Sequence, residues 1–278
     1  MTIAAESSAF LRHISACRNA VLPGERLPFR IGAAQAGWVR PAFAEALAAW
    51  PQIVQRDGAV VLEDAAALPA IARALAAARH YRWRGEAFDV RATPDGPVLA
   101  QLDRGAIPSF GVVAVGVHVN GLVHRPDGLH VWIARRAADK FLDPGKLDHI
   151  TAGGVPAGLT PEQTLIKEAE EEAAIPPGLA CGARHVATIG YAMERPEGLR
   201  RDLLHCYDLD LPADFVPQAV DGEVAAFELW PIDRVLQTVR DTGDFKFNVN
   251  LVLIDLFLRL GLVPADETRR LRSALLAK

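Results

Sequence analysis

The chain has 278 residues, half of them hydrophobic, and a formal net charge of −4. Such a composition suits a folded globular protein of one large domain or two moderate ones. Its mildly acidic balance gives no electrostatic case for nucleic acid or an anionic membrane, so neither is expected as a partner.

The three cysteines, Cys17, Cys181 and Cys206, form no CxxC pair and read as reduced thiols rather than a disulfide framework. The first ten residues lack the basic start and apolar run of a secretory signal. The most apolar stretch, 249–262, contains Asp255 and Arg259 and is too short to span a bilayer. A cytoplasmic location is expected on these grounds.

Residues 7–20 and 64–79 carry apolar side chains at helical spacing, the second segment being alanine-rich, and 41–50 reads as a further short helix. Between them Phe29–Ile31, Ile53–Val54 and Val60–Leu62 read as short strands. Phe88–Val90 and Val98–Leu102 read as a pair around the turn Pro94-Asp95-Gly96. The first part of the chain, 1–108, is therefore expected to be a small α+β domain.

The pattern changes at Phe110. Val112–Val119 reads as a strand ended by a turn at Asn120-Gly121, and Val131–Ala134 as the next strand after Pro126-Asp127-Gly128. A loop at Asp143-Pro144-Gly145 leads to a short strand, His149–Thr151, and to Gly153-Gly154. A helix over 161–174 follows, then strands at 184–193, 203–209 and 224–230. Helices after Pro231, over 248–261 and over 265–277 close the chain. Strands interleaved with helices predict an α/β/α sandwich over 109–278.

The segment with chemical character is 153–175. Thr160 is placed to cap the helix and Pro161 suits its first turn. On that helix Glu168 and Glu171 stand at i, i+3 and Glu168 and Glu172 at i, i+4, which sets three carboxylates on one surface. A helix of glutamates is by itself usually a solvated face. Here it follows a strand and a Gly-Gly loop whose backbone can approach a ligand closely. A carboxylate cluster suits a hard cation such as Mg²⁺ or Mn²⁺, which would neutralise phosphate charge and acidify a water.

This segment resembles the Nudix box, Gly-x5-Glu-x7-Arg-Glu-aliphatic-x-Glu-Glu-x-Gly-aliphatic. Gly153 matches its first glycine, Glu168, Glu171 and Glu172 its acidic core, and Ile175 its last position. The resemblance implies a Nudix α/β/α sandwich, a diphosphate hydrolase activity, and divalent metal held by Glu168, Glu171, Glu172 and Gly153, with Glu168 and Glu171 catalytic. Three positions depart. Leu159 stands for the upstream glutamate, Lys167 for arginine and Ala174 for glycine. The first two remove an orienting ion pair. The third costs roughly 1 kcal/mol if the backbone there is left-handed.

The resemblance extends to a branch of the family related to thiamine pyrophosphokinase, which carries an N-terminal accessory domain. It rests on Gly37-Trp38, Trp83-Arg84, Glu86 and Phe88 in the first half. In the second half it rests on 116–121, 132–136, 144–148, 207–209, 221–224 and 245–248. It implies thiamine diphosphate, or a damaged analogue released as the monophosphate, as the small-molecule diphosphate substrate. A homodimer is the expected assembly.

Glu223 is a candidate further ligand or general base, or else an exposed turn acid after Asp221-Gly222, and Glu228 is an outside candidate on the same strand. Arg135 and Arg136 are candidate phosphate binders, or a solvated pair at a strand end; Arg200 and Arg201 share that ambiguity. Lys167 is a further candidate for substrate contact. Lys246 and Asn248 stand at a helix entrance that favours anions, where Asn248 could equally be a plain cap. Trp38, Trp83 and Phe88 could stack on a heterocycle, though core packing is the plainer account. Two rival readings remain: a catalytically weak or inactive Nudix-fold module binding a nucleotide or cofactor, and a structural helix with no site.

Overall fold

The computed structural model describes residues 9–276. Helix α1 (Leu11–Cys17) precedes strands β1 (Leu27–Ile31) and β2 (Ala34–Val39), helix α2 (Pro41–Leu47), and strands β3 (Ile53–Arg56) and β4 (Ala59–Leu62). After a single 3₁₀ turn come α3 (Leu68–Ala77), the hairpin β5 (Ala87–Val90) and β6 (Ala100–Asp103), and the short α4 (Ile107–Phe110). The first four strands form a mixed sheet ordered β2-β1-β4-β3. Its apolar residues, from Phe29 to Val112, make one core with α2 and α3. Strand β2 is absent from the sequence reading because its alanines and Gly37 carry little β-propensity. It forms because it pairs with β1.

The second half holds β7 (Val113–Arg125), β8 (Gly128–Arg136), β9 (Leu147–Asp148), β10 (Thr151–Gly154), α5 (Pro161–Ala173) and α6 (Pro177–Ala180). Then follow β11 (Arg184–Arg195), β12 (Gly198–Asp210), β13 (Val224–Pro231), α7 (Ile232–Asp241), α8 (Val249–Arg259) and α9 (Ala265–Leu276). Strands run in the order β11-β12-β7-β8-β13, with β10 added on β7 and β9 on β8. Side chains alternate between faces as the strand period of two requires. Leu122, Val131 and Ile133 meet α7, α8 and α9 on one face. Val117, Val119 and Trp132 meet α5 and its flank on the other. The result is a sheet between two helical layers with a smaller α+β unit at its N-terminal side.

Two features differ from the sequence reading. Asn120-Gly121 is not a turn: β7 continues to Arg125. The Asn120 amide donates to Asp208 Oδ1 at 2.9 Å, and Gly121 lies under Ile150, whose Cδ1 would be 2.9 Å from an added Cβ. An asparagine with a buried partner and a glycine required by close packing thus imitate a turn dipeptide. Second, α1 packs on the later core: Phe10, Ile14 and Cys17 belong with α8 and β11, not with the sheet that follows them in sequence.

Candidate active site

Helix α5 is placed by its apolar stripe. Leu165, Ala169 and Ala173, at i, i+4 and i+8, bury against Val117, Val119 and Ile150. Its entrance is a capping box: Gln163 N–H donates to Thr160 Oγ1, and Thr160 N–H donates to Gln163 Oε1. Its exit is Ala174 at φ 53°, a left-handed position where the sequence reading expected a penalty for lacking glycine.

With the helix fixed, its acids diverge. Glu172 is buried, and its Oε2 accepts from Thr151 Oγ1 at 2.7 Å and from Ala152 N–H at 3.0 Å. Burial pushes its carboxyl up to about 8 despite those donors. Glu168 is largely buried against β10: a Cβ on Gly153 would lie 2.5 Å from its Cδ. Burial raises this carboxyl as well, against the pull of Lys167. Glu171 is half exposed and held by Lys167 Nζ at 2.5 Å; the same ammonium is 3.3 Å from Glu168. Lys167 is therefore engaged with the acids. Leu159, in the glutamate's place, is partly exposed and offers it no carboxylate.

A small cavity lies beside Ala152 and Glu172, lined also by Arg136, Lys140, Asp148, His149 and Glu223. Glu223 stands in the turn before β13 and is ion-paired with Lys140, which keeps its carboxyl low against the effect of burial. Carboxylate oxygens of Glu172, Asp221 and Glu223 lie within 4.8 Å of one another. Asp221 was not among the candidate site residues; its Asp-Gly turn was legible, but not that the turn folds back on α5.

Arg136, Lys246 and Asn248 each have partners within the protein, and Arg136 also lines the cavity. Arg136 donates to Asp148 Oδ2 at 2.8 Å and to the Leu142 carbonyl at 2.9 Å; Lys246 is buried 3.4 Å from the same carboxylate. Burial alone would raise Asp148, but these two cations hold it well below the usual carboxylate range. Asn248 occupies the N-cap position of α8 without a side-chain cap; its amide lies 3.4 Å from His118 Nε2 instead. His118 Nδ1 meets His149 Nδ1 at 3.1 Å, and burial keeps both rings neutral, His149 down to about 4. His118, Asp148 and His149 are close enough to share an ion. The two cations already on Asp148 disfavour one there. Arg135 is exposed at the end of β8, 3.9 Å from Glu228. Arg200 is half-buried, 3.0 Å from Asp202, and Arg201 donates to the Gly111 carbonyl.

The donor set around Glu172 fits a hard divalent cation. It is all oxygen, its buried Glu172 carboxyl has hydrogen-bond donors but no ion pair among the described residues, and the glycine at 153 leaves the space a side chain would fill. The N-terminal unit reaches this place. Phe88 packs on Gly154, where an added Cβ would lie 2.4 Å from its Cζ, so Phe88 is core rather than a stacking platform. Ala157 N–H donates to the Ala87 carbonyl at 2.7 Å. Glu86 lies near enough to raise Glu168, and Arg104 near enough to lower Glu223.

Family comparison divides the chain at β7. A domain of unknown function (DUF4743) matches residues 9–114, and the NUDIX domain matches residues 114–249. Nudix hydrolase 20, chloroplastic, of Arabidopsis thaliana is 40% identical over 185 residues, which is 66% of this chain and 50% of that protein. Nudix hydrolase 24, chloroplastic, of the same plant is 41% identical over 196 residues, 68% of this chain and 54% of that protein. The chain thus spans about half the length of these relatives. Among solved structures it is similar to DR0079 from Deinococcus radiodurans, with a TM-score of 0.47 and 21% identity over 60% of this chain and 97% of that one. The plant relatives overturn the expected cytoplasmic location, since both are chloroplastic. That expectation rested on lacking a secretory pattern, which carries no information about plastid import. Over residues 114–249 the chain matches the NUDIX domain, and over about two thirds of its length it is similar to Nudix hydrolases.

Proposed function

We propose that this protein is a divalent-metal-dependent hydrolase of a diphosphate linkage, acting where α5 faces β10. The observation that carries this reading is the buried Glu172 carboxylate, oriented by Thr151 and Ala152 and met by Glu168, Asp221 and Glu223. Glu168, Glu171, Glu172 and the Gly153 backbone would hold Mg²⁺ or Mn²⁺, which when bound neutralises phosphate charge and acidifies water. Glu223 lines the cavity and would be the base, available to take a proton once Lys140 moves aside. Arg136, Lys140 and Arg104 surround the same space with positive charge suited to a diphosphate. Arg136 and Lys246 also keep Asp148 ionised and so support the strand that leads into Gly153.

Residues 1–108 would form the accessory domain and 109–278 the hydrolase domain, with substrate bound where they meet. Thiamine diphosphate and its damaged analogues are the substrates we place first, from the resemblance over both halves. The test is ³¹P NMR of a panel of thiamine diphosphate, nucleotide sugars and dinucleotides with Mg²⁺. Wild type should release monophosphates only with metal, and Glu172→Gln and Glu171→Gln should not. Equal turnover by all three proteins overturns the reading.

One observation favours a weaker second reading, a binding module with little turnover: Lys167 occupies the oxygens of Glu171 and Glu168 itself. Tight ligand binding without metal-dependent release would support it.

A further inference from the structure

The loop of residues 137–146, between β8 and β9, is anchored at both ends. Ala137 N–H donates to the Glu223 carbonyl at 2.9 Å, and Arg136 N–H donates to the Lys146 carbonyl at 2.9 Å. The Arg136 side chain also donates to the Leu142 carbonyl at 2.9 Å, and Asp143 is paired with Arg195 at 3.4 Å. Between these anchors stands Lys140. It lines the cavity, its side chain is 22% exposed, and its ammonium is ion-paired with the Glu223 carboxylate. A lysine carries its charge on a flexible four-carbon stem, so the ammonium can leave Glu223 while the loop stays tied.

Glu223 is one of three acids that meet at this place: its carboxylate oxygen and those of Glu172 and Asp221 lie within 4.8 Å of one another. Carboxyl groups so close cannot all carry charge without a cation among them. Among the described residues, Lys140 is the cation ion-paired with this set. The two nearby arginines are committed elsewhere, Arg136 to Asp148 at 2.8 Å and Arg104 to Glu86 at 2.9 Å. Lys140 therefore supplies the positive charge that a divalent ion on the same acids would otherwise supply.

We propose that Lys140 is a placeholder cation. It holds Glu223 while the acids carry no divalent ion, releases that carboxylate when they do, and then offers its ammonium to a phosphate oxygen of the substrate. One side chain thus acts in opposite senses on the two ligands. It competes with the metal for Glu223, and it attracts the anion once the metal has displaced it, which couples the binding of metal and phosphate. This deepens the hydrolase reading and rests on it for the reaction, but its measurements require no turnover.

The experiment is titration of the full chain with Mn²⁺ alone, followed by electron paramagnetic resonance, and calorimetric titration with inorganic phosphate in saturating Mg²⁺. Lys140→Met keeps the stem and removes the charge. It should bind Mn²⁺ about two- to tenfold more tightly than wild type and bind phosphate more weakly by a similar factor, the scale of one partly screened charge contact. Both differences should shrink at high salt. Lys140→Arg should restore wild-type behaviour, and in a Glu223→Gln background Lys140→Met should no longer tighten Mn²⁺. Mn²⁺ should also raise the Tm of Lys140→Met more than that of wild type. Mn²⁺ affinity that is unchanged or weaker in Lys140→Met overturns the proposal, and so does unchanged phosphate affinity. A lowered metal-free Tm with both affinities unchanged shows a merely structural ion pair and overturns it too. Opposite shifts in Mn²⁺ and phosphate affinity without any diphosphate hydrolysis by wild type would sink the hydrolase reading alone.

Discussion

Gly153 lies so close to Glu168 that a Cβ on the glycine would sit 2.5 Å from the carboxyl carbon. The contact is between a strand backbone and a helix side chain, and it sets where the acid can place its oxygens. Gly153→Ala should push the Glu168 side chain away without touching α5's apolar face. Metal-dependent hydrolysis should fall about ten- to hundredfold, as for other losses of ligand orientation, while Tm changes little. A variant with wild-type activity and a wild-type Glu168 position would contradict this.

Glu172 makes stability depend on pH when no metal is present. Its carboxyl is raised in the folded protein to about 8 by burial. A raised acid binds its proton more tightly folded than unfolded. Its contribution is fully present below the unfolded pKa, near 4.3, and declines as pH rises toward the folded value. In EDTA, denaturant-derived stability should therefore drop between those limits, with a slope of at most about 1.4 kcal/mol per pH unit from this one proton. Glu172→Gln should flatten that slope, and Mg²⁺ should flatten it in wild type by stabilising the ionised form.

Asp148 is buried between Arg136 and Lys246. Asp148→Asn keeps the shape and removes the charge, which leaves two cations facing each other with no anion. Breaking a buried ion pair on one side costs about 3–5 kcal/mol. The midpoint of urea unfolding should fall accordingly with an unchanged m-value. A double substitution that also replaces Lys246 with Met should recover part of the loss.

Ala174 closes α5 at φ 53° and ψ 33°. A non-glycine residue there costs about 1–2 kcal/mol, part of which glycine returns as flexibility of the unfolded chain. Ala174→Gly should raise stability by roughly 0.5–1 kcal/mol, read as a rise in Tm, with activity unchanged. A fall in Tm would show that the Ala174 methyl makes packing contacts that outweigh the strain.

Helix α5 was legible because each of its signals is local. Thr160, Pro161 and Gln163 specify its start, the stripe Leu165, Ala169 and Ala173 specifies its buried face, and Glu168, Glu171 and Glu172 follow from the same period. Most strands were legible from β-branched runs. Strand β2 was not, since it exists by pairing with β1, and the Asn120-Gly121 turn was misread because packing, not chain reversal, requires those residues. Candidate phosphate binders were the weakest part. A lysine or arginine shows its charge in the sequence but not its partner, and Asp148 is the partner of both Arg136 and Lys246.

Local backbone geometry, acting over one or two helical turns, was enough to place three glutamates on one helix and to set Gly153 ahead of them. Which of those acids turns inward was decided only by tertiary structure. So were the engagement of Lys167 with its own helix and the arrival of Asp221, Glu223 and Lys140 from distant loops beside Glu172. Contacts of that kind depend on how strands far apart in the chain come into register. A side chain's ionisation and freedom to bind follow from burial and neighbouring charge, which no short stretch of sequence contains.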